Sequence, residues 1–459
     1  MSQSSAPQGT SPSEPGETGR SRRAPLGAQF HKLLGAVGLG NLGDGIAVVA
    51  LPWYATTLTD DPFLVAVVGA ATRLPWLLFA LLAGVVGDRV DRRRLMVAAG
   101  GAKALLLVAL TVVVVLGAGS IPLLVAVALL VGACEVFFDN TAQSVVPGVV
   151  RRSQLERANG RLQAVERVLN SFLGAPLAGA LLAVSTAWAF GAQAALILLA
   201  VVCLLTMRGN FRPETDGEPH PPILTMLREG LAWLWRHPVM RPLAIVSGLS
   251  NMAVAFTGAV LVLFAQDVLG VGPQGYGLLM TVTAAGAVLG ALVVPSFSGR
   301  VHPSTAMGVI LAVLGSTALV VGLLHSIPAF VVCCFINGFI ITWWNITLIS
   351  LFQRLTPDRL RSRAFSAHRT LSWGLLSVGM GLGGALAAVM EGPLGREWAL
   401  ASPFIAAGVI GLALAAAPAL VLTPRVIDRA LADAEPESTP GTGLEPGPEN
   451  SQGSAPRQG

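Results

Sequence analysis

Residues 94–117 read RLMVAAGGAKALLLVALTVVVVLG, and the six before them read DRVDRR. An arginine-rich turn feeds a run of twenty-odd residues whose only interior charge is Lys103. About twenty apolar residues, wound as a helix, span a hydrocarbon core of about 30 Å. In lipid the backbone must satisfy its own polar groups, so such a run is a spanning helix. Similar runs recur from Phe30 to Leu422, separated by short loops. The chain therefore reads as a polytopic membrane protein.

The spacing predicts an all-α membrane protein with twelve spans in two six-helix bundles. Their cores are 30–57, 62–87, 94–117, 121–139, 161–184 and 187–207, then 241–267, 274–299, 304–325, 328–352, 367–390 and 398–422. The first bundle is expected at 26–207 and the second at 241–424. The linker 208–240 opens with Pro, Asp, Glu and Gly, then turns amphipathic from Ile223 to Trp235. There Leu231, Leu234 and Trp235 supply an apolar face for a helix lying on the cytoplasmic surface. The tails 1–25 and 425–459 are expected to be disordered and cytoplasmic.

Composition agrees. Of 459 residues, 53% are hydrophobic and 12% charged, where soluble domains carry about 25% charged residues. No stretch outside the apolar runs is long enough to fold a soluble domain. The net charge of +5 comes from loop arginines, which read as topology signals and not as a nucleic-acid surface. Cys134, Cys203, Cys333 and Cys334 all lie inside spans without metal-ligand spacing, as packed thiols do. Met1 to Pro25 lacks the apolar stretch of a signal peptide.

Arginines crowd every second loop: 89–94, 151–161, 208–241 and 354–369. The alternate loops carry Asp60, Asp61, Asp267, Glu391 and Glu397, with Arg396 the sole arginine. The positive-inside rule then puts both termini in the cytoplasm of a multi-pass protein of the cell membrane. The halves also repeat at constant offset. Leu155, Gly174 and Gly179-Ala-Leu match Leu360, Gly379 and Gly384-Ala-Leu. Repeated halves about a central cavity are a transporter architecture.

Gly84-Val-Val-Gly-Asp88-Arg89-Val-Asp91-Arg92-Arg93-Arg94 closes the second span. A positive-inside anchor accounts for the arginines but not for Gly84 four residues before an Asp-Arg pair. The segment resembles the signature loop of the major facilitator superfamily. Asp91 stands where the general pattern has Gly, a form similar to the macrolide-efflux and enterobactin-exporter branch of drug–proton antiporters. Glu229-Gly230-Leu231-Ala-Trp233-Leu-Trp235-Arg236-His237-Pro238 is similar to the same branch. The resemblance covers nearly the whole chain apart from the tails. It implies a cytoplasmic gate around Gly84, Asp88, Arg89, Arg92 and Arg93. Gly174-Ala-Pro176-Leu-Ala-Gly179 resembles a degraded form of the Gly-Pro motif of drug–proton antiporters, with fewer glycines than usual. Proline bends the helix there and the glycines admit close packing.

Charged residues inside spans are expensive and mark function or structural pairing. Arg73 lies mid-span, with Asp44 at comparable depth and Asn41 one turn before it. An Asp44–Arg73 pair is expected to line the first half's cavity, either as a proton switch or as an ion pair locking two helices. Glu135 and Asp139 share a helix face. They are either proton carriers, Glu135 above all, or a gate with Arg167 and Arg161. Lys103 reads as snorkelling to the cytoplasm. The second half offers Asn251, Asn337, Trp343 and Asn345 as substrate-cavity candidates, or as helix–helix hydrogen bonders.

No P-loop, H-E-x-x-H, G-x-S-x-G or His-Cys cluster occurs. No enzyme activity, cofactor or metal is expected. The expectation is a secondary active transporter exporting a hydrophobic or amphiphilic small molecule, such as a drug, antibiotic or secondary metabolite, by proton antiport through alternating access. A siderophore exporter is the next reading; a nutrient importer or an intramembrane enzyme are readings of other classes. The partners are the substrate, protons and membrane lipid, with no nucleic acid, and a monomer is expected.

Overall fold

The structure is a computed structural model that describes residues 26–87, 89–209, 211–212 and 223–434. It is all helical. The first half contains α1 (Ala28–Leu58), α2 (Pro62–Gly87), α3 (Arg92–Val115) and α4 (Ile121–Val149). There follow α5, continuous through Leu155–Arg167, Val168–Gly174 and Ala175–Val184, and α6 (Thr186–Leu205). The linker helix is α7 (Ile223–Arg236). The second half contains α8 (Met240–Leu263), α9 (Pro273–Phe297), α10 (Pro303–Leu324) and α11 (Ile327–Leu355). A continuous stretch, Asp358–Ala415, reverses at Gly395, whose φ of +76° suits a residue without Cβ. It gives two arms, α12 (358–394) and α13 (396–415). Among the described residues, eleven helices are long and apolar enough to cross a membrane. Counting the two arms separately makes twelve.

The repeated glycines explain how the halves are built. A Cβ on Gly174 would stand 2.6 Å from Cα of Gly45 on α1, and one on Gly379 would stand 2.5 Å from the Met252 carbonyl oxygen on α8. These are equivalent crossings inside each half. Five residues on, a Cβ on Gly179 would stand 2.6 Å from the Pro273 carbonyl oxygen on α9, and one on Gly384 3.0 Å from that of Pro62 on α2. These are equivalent crossings between the halves. Small residues let backbones touch where lipid supplies no hydrophobic drive.

We call the face carrying the arginine loops the basic face and its opposite the far face. Near the far face one apolar cluster joins both halves through Tyr54, Phe190, Phe264 and Phe330. Towards the basic face the cores part. Phe30, Met96 and Phe138 belong to one, and Leu243, Phe352 and Ile427 to the other. The halves are thus sealed at the far face and separate at the basic face.

Two expectations about the periphery change. Residues 424–434 of the expected disordered tail form α14 (Pro424–Ala434), because Ile427 and Ala430 share a face buried in the second half's core. In α7, only Leu234 of the expected apolar face is buried; Leu231 and Trp235 are exposed. The helix is docked instead by the close approach of Gly230 to the Arg363 backbone and by a Glu229–Arg363 ion pair.

Candidate functional site

A cavity of about 220 Å³ lies within the first half. Helical spacing aims its lining. Asn41 and Asp44 come from α1, and Arg73 and Trp76 from α2. Glu135, Asp139 and Gln143 come from α4 at i, i+4 and i+8, and Glu166 and Asn170 from α5 at i and i+4. Four carboxylates therefore face one arginine. Asn41 keeps its amide on the Val37 carbonyl at 3.0 Å. Arg73 is exposed to the cavity.

The fixed centre of this site is Lys103 of α3, 3% exposed. Its ammonium pairs with Asp44 and lies 3.4 Å from Glu135 Oε2. This corrects two expectations. Lys103 does not snorkel, and among the described residues no ion pair joins Asp44 to Arg73. The reason is depth. Lys103 stands eleven residues beyond Arg92, about 16 Å along the helix, too far in for its head to reach water. A buried ammonium needs a carboxylate, whereas Arg73 meets the open cavity and does not. The expected Glu135–Arg167 gate is also replaced, since Lys103 holds Glu135. Among the described residues neither Asp139 nor Arg167 forms an ion pair, and Arg167 is exposed. The depth of Lys103 was the signal that sequence reasoning passed over.

The signature loop is a clamp. Asp91 caps α3 by accepting the Arg94 N–H at 2.9 Å, which explains an Asp at that position. Arg92 donates to the Ser144 carbonyl of α4 at 2.9 Å. Arg93 donates to the Leu204 and Leu205 carbonyls at 2.9 and 2.6 Å, where α6 ends and its dipole favours a cation. Arg89 is exposed in the turn, and Gly84 lies in the last turns of α2. Asp88 lies outside the described residues.

Gly174, Pro176 and Gly179 sit where α5 changes pitch. Val168–Gly174 is a π-helical segment, and Pro176 starts the α-helix after it. Such widened turns accommodate a missing i→i−4 bond and recur at functional sites.

In the second half the expected substrate residues are dispersed. Asn251 donates to the Ser372 carbonyl at 3.3 Å, bridging α8 and α12. Trp343 is buried against Phe297, ring centroids 5.1 Å apart, in a core cluster with Val294 and Ile310. Asn345 is exposed on α11 and lines neither cavity. Asn337 lines a separate apolar cavity. A residue that the sequence reading did not single out crosses between halves: the Arg369 guanidinium lies 5.5 Å over the Trp76 ring, within cation–π range.

A helical bundle of two repeated halves, with charged side chains lining a cavity inside the membrane, defines a secondary transporter of the major facilitator type. Residues 20–435 match the family model described as transmembrane secretion effector, and the chain belongs to that family. It is 25% identical to the multidrug efflux pump Tap of Mycobacterium tuberculosis over 86% of this chain and 95% of the relative. It is 23% identical to macrolide efflux protein A of Streptococcus pyogenes, covering 82% and 92%, and 26% identical to the enterobactin exporter EntS of Shigella boydii, covering 89% and 93%. A solved structure of the nucleoside transporter NupG superposes with a TM-score of 0.73 at 13% identity, over 86% of this chain and all of that one. The protein is a membrane efflux transporter by family, not an enzyme.

Proposed function

We propose that this chain exports an amphiphilic small molecule, a drug or secondary metabolite, in exchange for protons, as a monomer with both termini cytoplasmic. The observation that carries this reading is the Asp44–Lys103–Glu135 cluster at the wall of the first half's cavity. Lys103 has two carboxylates within reach. When a proton neutralises Asp44, Glu135 still balances the buried ammonium. The pair can therefore open and close without orphaning a charge, which a single ion pair could not do. Alternating access exposes such a group to each side in turn. The relatives' names, a multidrug pump and a macrolide exporter, agree with export of amphiphiles. Four cavity carboxylates favour a neutral or cationic cargo over an acidic siderophore.

The cargo is found by comparing compound susceptibility of a deletion strain with that of an overexpressing strain. Transport of the hit is then followed in proteoliposomes with an imposed proton gradient. Asp44→Asn is expected to abolish gradient-driven accumulation while retaining binding. Accumulation unaffected by collapse of the gradient, or by Asp44→Asn, removes the coupling proposal.

A further inference from the structure

A second cavity, also about 220 Å³, lies inside the other half between α8, α9, α10, α11 and α13. It shares no residue with the carboxylate cavity. Phe330, Phe404, Leu311, Val321 and Met280 give it apolar walls. The lining residues exposed beyond a third, Val254 at 38% and Ile341 at 37%, mark its mouth. α8, which carries Val254, also packs on both α1 and α2.

The polar groups of this chamber are not all accounted for. Thr257 Oγ1 donates to the Val254 carbonyl at 2.8 Å, and Thr283 Oγ1 to that of Leu279 at 3.2 Å, so both are satisfied by their own helices. Asn337 differs. Its Oδ1 accepts from Thr317 Oγ1 at 2.8 Å, which leaves Nδ2 without an acceptor among the described residues. An amide donor among apolar walls is available to an acceptor on whatever enters the chamber. Protein interiors are normally close-packed. A void of this size, with the Asn337 amide donor in its lining, is therefore shaped for an occupant.

We propose that this chamber binds a neutral, ring-bearing apolar molecule whose carbonyl or ether oxygen accepts from Asn337 Nδ2. The identification of that molecule as the apolar portion of the cargo rests on the exporter reading; the site itself does not. Ligand sites of this kind are mostly apolar, with few placed polar groups that fix orientation.

Benzophenone is a direct probe, being neutral, apolar and equipped with one carbonyl acceptor. On irradiation its excited carbonyl oxygen takes hydrogen from a nearby C–H, and the two carbon radicals join, leaving a carbinol on the protein. The purified full chain in lipid nanodiscs is irradiated with benzophenone and the adducts are located by mass spectrometry. The expected result is adducts at Met280 and in the peptide spanning 330–341. Asn337→Leu, which keeps the volume and removes the donor, should reduce them at least fivefold. Ala318→Phe, which fills the chamber, should abolish them. Should Ala318→Phe fail to fold, Asn337→Leu decides alone. Adducts confined to lipid-facing residues such as Leu292, or chamber adducts unchanged by Asn337→Leu, overturn the proposal. Labelling needs no proton gradient. A labelled chamber in a protein that exports nothing supports the site and counts only against the exporter reading, whereas export without chamber labelling does the reverse.

Discussion

Arg396 donates from Nη1 to the backbone carbonyl of Asp60 at 2.7 Å, tying the α12–α13 turn of one half to the α1–α2 turn of the other. The same guanidinium holds Asp267 Oδ2 at 2.9 Å and Glu391 Oε1 at 3.1 Å. Arginine suits this role because its planar fork serves several acceptors at once. It is the one cation that the far-face loops carry, and it forms a polar lock over the apolar seal of Tyr54, Phe190, Phe264 and Phe330.

Breaking this lock should open the far face. Arg396→Gln removes the charge from a hydrogen bond of a kind worth about 1.5–3 kcal/mol, a roughly tenfold or greater change in the balance between states. Double electron–electron resonance between spin labels at Asp61 and Gln274 should show a longer-distance population that grows in the variant. An unchanged distribution would make Arg396 a local tie only.

The inter-half glycines should act in the same direction through sterics. A Cβ at Gly179 meets the Pro273 carbonyl oxygen at 2.6 Å, a backbone atom that cannot swing away. Gly179→Ala should cost about 1–3 kcal/mol of packing and widen the same spin-label distance. Gly191→Ala is the control. There the new Cβ meets only the Thr111 methyl at 3.7 Å, and the change should be neutral or stabilising by up to about 1 kcal/mol. Equal thermal stability of the two variants would argue against a tight α5–α9 crossing.

Lys103 should be indispensable as long as its partners are charged. Lys103→Met leaves Asp44 and Glu135 facing each other without a cation, a loss of about 3–5 kcal/mol. Lys103→Met combined with Asp44→Asn should regain a substantial part of that loss, though not transport. Melting temperatures of the two single variants and the double variant form the cycle that checks this. Additive losses would show that the three groups do not act as a unit.

His237 gives the linker a pH dependence. Its Nδ1 accepts from the backbone N–H groups of Val239 and Met240, each at 3.2 Å, at the start of α8. Burial holds its pKa below the ordinary imidazole value, since charging a buried ring is disfavoured. The unfolded chain then binds the proton more readily than the folded one. This contribution to stability is complete above about pH 6.5 and is lost as pH falls through the lower folded value. His237→Asn, which retains a capping acceptor, should flatten the decline in melting temperature below pH 6.5. A decline identical to the parent's would assign it to other groups.

Much of this protein was legible along the chain. Spans could be read because each crosses about 30 Å of hydrocarbon and lipid forces every backbone bond inside one helix. The pairing of Gly174 with Gly379, and of Gly179 with Gly384, could be read as a repeat because equivalent crossings need the same absent Cβ. The arginine loop could be read as a motif, and Asp91 within it proved to be a helix cap.

What the sequence could not decide was which distant side chains meet. Depth along a helix follows from residue number; azimuth relative to five neighbouring helices does not. Asp44 and Arg73 match in depth, yet Lys103 of α3 takes the carboxylate because it alone is sealed from water. Trp343 and Asn251 have the composition of a binding site, but rotation of their helices points one into a core and the other at a neighbouring backbone. By itself the sequence determined the number of spans, their order and the charge of each loop, all properties local to one segment. The partners of the buried charges, the two separate cavities and the Arg396 tie between halves were decided only by tertiary structure, because each requires groups hundreds of residues apart, or on different helices, to arrive at one point.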